Sequence, residues 1–157
     1  MDYYQNVVVD YLRADRAVFV NTEYCLQINP GNPDKYKGLH WYCDAVALDF
    51  RTQTVFLCEI SYAEGLTALI KRLRGWHENW DGIRLALVRD SALPQSWTWT
   101  VKPWLFVPEK EKSSLEKQLG PIKDELHAKI TLLEDVQPWK YHSWDRKDEC
   151  DKPENPE

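Results

Sequence analysis

A chain of 157 residues that is 43% apolar and 29% charged fits one soluble domain and excludes a wholly disordered, collagenous or coiled-coil protein. The longest apolar runs, such as Val55-Phe56-Leu57-Cys58, fall far short of a membrane span, and Met1-Asp2-Tyr3-Tyr4 lacks the character of a secretory signal, so a cytosolic protein with no membrane partner is expected. Net charge is −5; six acids and three bases from Asp145 onward leave only −2 on residues 1–144, which argues against a general polyanion-coating surface but not against a local basic cleft.

The predicted elements alternate. Tyr4, Val7, Val8, Tyr11 and Leu12 recur at helical spacing over residues 3–13. Residues 17–28 are rich in Val, Phe, Tyr and Thr and read as a strand, followed by the loop chemistry of Asn29-Pro30-Gly31-Asn32-Pro33-Asp34. Residues 40–50 and 54–60 form the clearest hairpin, joined by Arg51-Thr52-Gln53. Leu66, Leu69, Ile70 and Leu73 then mark a helical stripe with Lys71, Arg72 and Arg74 off it. Ser61-Tyr62-Ala63-Glu64 has the form of a capping box, which predicts that this helix starts at Ser61.

Residues 83–88 are expected to be helical. A strand over 99–107, a helix over 109–119 stopped by Gly120-Pro121, and a last strand over 128–134 complete an α/β domain of residues 1–144. Residues 145–157 lack large apolar side chains and are expected to form an acidic disordered tail.

The four cysteines show no zinc-type spacing, and the chain is long enough to bury a core without disulfides, so reduced thiols are expected. Most of the eight tryptophans are expected to pack internally, and Trp139, Tyr141 and Trp144 to clamp the C-terminal segment to the body. An aromatic surface there is the alternative, available to a protein partner. His77, His127 and His142 show no ligand spacing, and His40 alone is a weak one.

The informative feature is the hairpin. A two- or four-residue turn about Arg51-Thr52 sets Asp44 opposite Glu59, with apolar Val46, Leu48, Val55 and Leu57 on the same face. Two carboxylates so placed repel one another and lose hydration, a cost that a shared divalent cation removes. Such an ion can also activate water for in-line attack on phosphorus.

Asp44, fourteen intervening residues and then Glu59-Ile60-Ser61 on the next strand resembles the PD-(D/E)XK nuclease superfamily, and the order of elements from Tyr3 to Glu134 is similar to it as well. The resemblance implies a restriction-endonuclease-like core, a mixed central sheet flanked by helices, in which Asp44 and Glu59 bind Mg²⁺ or Mn²⁺ for hydrolysis of DNA or RNA. Three positions depart from the pattern: Cys43 replaces the proline, Gln5 stands where the first helix often carries an acid, and Ser61 occupies the place of the catalytic lysine. In some members the basic residue sits on the following helix, which nominates Lys71, with Arg74 next. Other members keep the fold as catalytically inactive binding or assembly proteins, and this is the alternative function.

Overall fold

The computed structural model describes residues 2–28, 40–142 and 146. Helix α1 (Tyr3–Arg13) begins at Asp2, whose Oδ1 accepts the Gln5 N–H at 2.8 Å while the Gln5 side-chain oxygen accepts the Asp2 N–H at 3.2 Å. This reciprocal cap satisfies two N–H groups that a helix start leaves bare. The Val7-Val8-Val9 triplet is a poor helix former in isolation, but all three side chains are buried, and packing outweighs propensity.

Five strands follow, β1 (Val18–Gln27), β2 (His40–Asp49), β3 (Thr54–Ile60), β4 (Thr100–Val107) and β5 (Lys129–Leu132). They lie in the sheet in chain order. The first three are antiparallel, whereas β4 and β5 run parallel to β3. The connection from β3 to β4 carries α2 (Thr67–Glu78) and α3 (Trp80–Asp90), and that from β4 to β5 carries α4 (Glu109–Leu119) and α5 (Pro121–Glu125). The protein is therefore α/β, with a mixed five-stranded sheet flanked by helices.

Alternation along the strands supplies a core on each face. Val55 and Leu57 join Leu69, Ile70, Leu73 and Trp76 of α2 on one side. Phe56 and Cys58 join Val8, Tyr11 and Leu12 of α1 on the other. No helix among the described residues is long and apolar enough to cross a membrane.

Three local expectations are corrected. Ser61 caps no helix: its N–H donates to the Phe106 carbonyl at 3.0 Å, which holds the chain against β4. Helix α2 begins six residues later, after a 3₁₀ turn at Glu64–Leu66 entered from Ala63, with Gly65 at φ +76° and Leu66 at φ +50°. Gly120-Pro121 ends α4 but also opens α5, because proline suits the first helical position. Within the segment assigned to the tail, Arg146 is buried: its guanidinium lies 4.2 Å from the Tyr11 ring and 3.6 Å from Asp15 Oδ2. Tyr141 also packs on Tyr11, at 5.4 Å, whereas Trp139 is 75% exposed. The loop at 29–34, Trp144 and the rest of the tail lie outside the described residues.

Candidate active site

The β2–β3 turn spans four residues, from Asp49 paired with Thr54. Asp49 Oδ1 accepts the N–H groups of Arg51 and Thr52 at 2.9 and 3.3 Å, so this carboxylate organises the turn and takes no part in the acid pair. The resulting register runs to Ala45 opposite Cys58 and sets Asp44 and Glu59 at the next position, where the regular ladder stops.

Asp44 itself interrupts the ladder. Its Oδ2 accepts the Ile60 N–H at 2.8 Å, and its Oδ1 accepts from Gln5 Nε2 at 3.0 Å. Gln5 is thus held by its oxygen on the start of α1 and by its nitrogen on Asp44. On the other side of β2, Glu23 stands between two paired residues of β1 with φ +53°, an uncommon conformation for a non-glycine residue. Cys43 shares a core cluster with Val46, three residues on, so simple alternation breaks at this point of β2. The Glu23 conformation and the break in alternation at Cys43 both lie next to Asp44.

Glu59 is 4% exposed. Its Oε2 accepts from Arg72 Nη1 at 2.7 Å, and the same nitrogen donates to the Tyr42 carbonyl at 3.1 Å. Its Oε1 is buried without a hydrogen-bond partner. Burial, reinforced by the neighbouring Asp44 charge, pushes the Glu59 carboxyl well above the usual carboxylate range, and the Arg72 guanidinium offsets this only in part. Without a further cation, the pair is best accommodated with a proton on Glu59.

Of the residues singled out in the sequence, Asp44 and Glu59 are brought together, and Lys71 is not: it is exposed on α2 and forms no ion pair or hydrogen bond with either. Arg72 takes the adjacent place. It lies three residues after Leu69 and four before Trp76, both buried, and so borders the face of α2 that meets the sheet. That spacing was the sequence signal for it. Arg74 points elsewhere, donating to the Gln118 carbonyl at 3.4 Å. Glu23 and Asp10 are exposed, and the His40 ring packs edge-on against Tyr42 at 5.7 Å.

Among the described residues, no group of three or more His, Cys, Asp or Glu side chains could hold a metal ion. The donor set is therefore two carboxylates, which suits a hard cation that keeps waters or substrate oxygens in its remaining positions. The orphaned Glu59 Oε1 is a ligand atom in need of such a partner. At the other end of the same sheet face, a cavity of about 590 Å³ lies between the strands and α3, lined by Val46, Leu48, Val55, Leu87, Trp97 and Trp99 among others.

Comparison with known proteins gives no match to a family model, to a curated protein or to a solved structure. The chain has a mixed α/β sheet and an acid pair, Glu59 buried and Asp44 half-buried, where the β2–β3 ladder ends.

Proposed function

We propose that this protein is a metal-dependent phosphodiester hydrolase acting on nucleic acid, built on a restriction-endonuclease-like core. The succession of one helix, three antiparallel strands, intervening helices and a parallel fourth strand supports that fold. The observation that carries the function is Glu59 Oε1, a buried carboxylate oxygen with no hydrogen-bond donor, beside a second carboxylate.

Asp44 and Glu59 would hold Mg²⁺ or Mn²⁺, which when bound polarises a phosphoryl oxygen and acidifies water. Charge favours the assignment. Two ionised carboxylates and Arg72 leave one net negative charge; a dication converts it to one net positive charge, the complement of a phosphodiester. Gln5 keeps Asp44 oriented through its amide nitrogen. Arg72, half-buried and next to Glu59, is the group that can turn its guanidinium donors to a non-bridging phosphate oxygen as negative charge develops. The proposal gives this role to Arg72 and not to Lys71.

Calorimetric titration with Mn²⁺ tests the reading. The wild type should bind one ion, Asp44→Ala and Glu59→Ala should bind none, and cleavage of plasmid or single-stranded DNA or RNA should require both acids. Absence of binding in the wild type would leave a catalytically inactive binding or assembly protein of the same fold. That second reading is favoured by the donors already present on Asp44 Oδ1, Asp44 Oδ2 and Glu59 Oε2. The exposed Trp139 would then be part of a protein-binding surface.

A further inference from the structure

Helix α3 is held to the end of β1 by three contacts. A Cβ at Gly82 would come within 2.9 Å of Ile28 Cγ2, so glycine permits the close approach there. The Arg89 guanidinium donates to the Gln27 carbonyl, and the Tyr24 and Ser91 hydroxyls share a hydrogen bond. Beside these contacts lies the cavity of about 590 Å³, with Val46, Leu48 and Val55 of the sheet on one side and Leu87 and Val88 of α3 on the other. Trp97 and Trp99 add an aromatic wall, their ring centres 4.5 Å apart. The row of rings continues from Trp99 through Phe50 to Phe19, at 5.0 and 5.2 Å. Phe19 and Leu85 both line the cavity yet are 62% and 71% exposed, which marks where it opens to solvent.

We propose that this cavity binds an uncharged small molecule with an apolar body and at most one hydroxyl or carbonyl group, met by Asn21. Packed interiors leave few voids larger than a water molecule, and this one lies within the range of about 300–1,000 Å³ that small-ligand sites occupy. Water is a poor filling, because an ordered buried water needs about two to four polar partners. The polar groups on the wall are few and mostly spent. The hydroxyls of Tyr24 and Ser91 satisfy each other. Asp81 and Arg84, three residues apart on α3, are exposed and opposite in sign, so the cavity offers no net charge. A charged ligand would give up hydration there without a complementary partner. Asn21, on the edge strand β1, is left to orient one neutral polar group, since its amide both donates and accepts. The inference is independent of the hydrolase reading and uses none of that site's residues.

Titration of the full chain with N-phenyl-1-naphthylamine, an uncharged dye that brightens in apolar surroundings, tests this. One dye per chain should bind, with Kd in the micromolar range. Decanol should displace it about tenfold more effectively than decanoate or decyltrimethylammonium at pH 8. Val88→Trp, which fills the space from α3, should weaken dye binding about tenfold. Leu85→Ala, a truncation at the exposed rim that leaves folding intact, should weaken it about threefold. Absence of saturable binding, or equal displacement by the charged and uncharged chains, would overturn the proposal. Binding unchanged in both variants, while they melt as the wild type does, would do the same. So would light scattering that shows a dimer whose assembly expels the dye, because the opening would then belong to a second copy of this chain.

Discussion

Replacing Glu59 by glutamine changes one oxygen to an NH₂ group and leaves the shape of the side chain intact. Its consequence follows from the site geometry. The amide oxygen can still accept from Arg72, which now meets Glu59 Oε2 at 2.7 Å, while the nitrogen takes the place of the buried Oε1 that has no donor and can itself donate toward Asp44. An unsatisfied buried polar atom costs about 1–3 kcal/mol, so the variant should gain about 2 kcal/mol in chelator near pH 8. That corresponds to roughly 4–8 °C in Tm for a chain of this size.

The gain must also depend on pH. Burial and Asp44 raise the Glu59 carboxyl in the folded state, so folding takes up a proton. The wild type therefore has its full stability below the unfolded carboxyl pKa of about 4.3. It loses stability at up to about 1.4 kcal/mol per pH unit as pH climbs toward the raised folded value. Glutamine has no such proton, and the two melting curves should converge in acid and separate toward neutrality. Thermal or urea unfolding across that range, in chelator, measures this. Added Mn²⁺ should then stabilise the wild type and not the variant. A Glu59→Gln protein that melts at or below the wild type at every pH would refute the view of Glu59 as an under-satisfied ligand atom.

Arg72→Ala should cost about 1–2 kcal/mol, discounted for the partly exposed guanidinium, and should abolish cleavage; Lys71→Ala should change stability by less than about 0.5 kcal/mol and cleave normally. Loss of cleavage in Lys71→Ala but not in Arg72→Ala would reverse the assignment. Burial tends to raise the Asp15 carboxyl, but hydrogen bonds from Arg51 and the Ala17 N–H, with the charges of Arg146 and Arg51, outweigh it and hold the carboxyl below its usual range. Asp15→Asn should therefore lose about 1–2 kcal/mol at neutral pH, and the deficit should vanish as pH falls through the lowered wild-type value; a pH-independent deficit would contradict the ion-pair account. Cys43 and Cys58 are buried with thiols pushed up, by burial first and the Glu59 charge second. Native protein treated with iodoacetamide should carry label at Cys25 well before either, as peptide mass spectrometry would show.

What could be read from the sequence followed from periodicity. The hairpin register was legible because Val46, Leu48, Val55 and Leu57 must share one buried face, and a one-residue slip would have moved them to the opposite face of the sheet, against α1. Helix α4 was bounded by Pro108 and Gly120, whose backbone preferences act locally. The start of α2 was misread because Ser61 and Glu64 make a local capping pattern that loses to a non-local bond, Ser61 N–H to Phe106. Lys71, with Arg74 next, was nominated as the base on the helix after the hairpin, and Arg72 was not considered, although the spacing of Leu69 and Trp76 turns position 72, not 71, toward the sheet. Gln5 and Arg146 act on partners 39 and 131 residues away, Asp44 and Asp15, and no pattern in the chain couples those positions.

Diffraction at the manganese absorption edge from crystals soaked in Mn²⁺ addresses the central claim at the atoms concerned. The account predicts one anomalous peak within bonding distance of both Asp44 and Glu59 Oε1, with the Arg72 guanidinium withdrawn from Glu59. A peak-free site with the Arg72–Glu59 bond intact at saturating Mn²⁺ would contradict it.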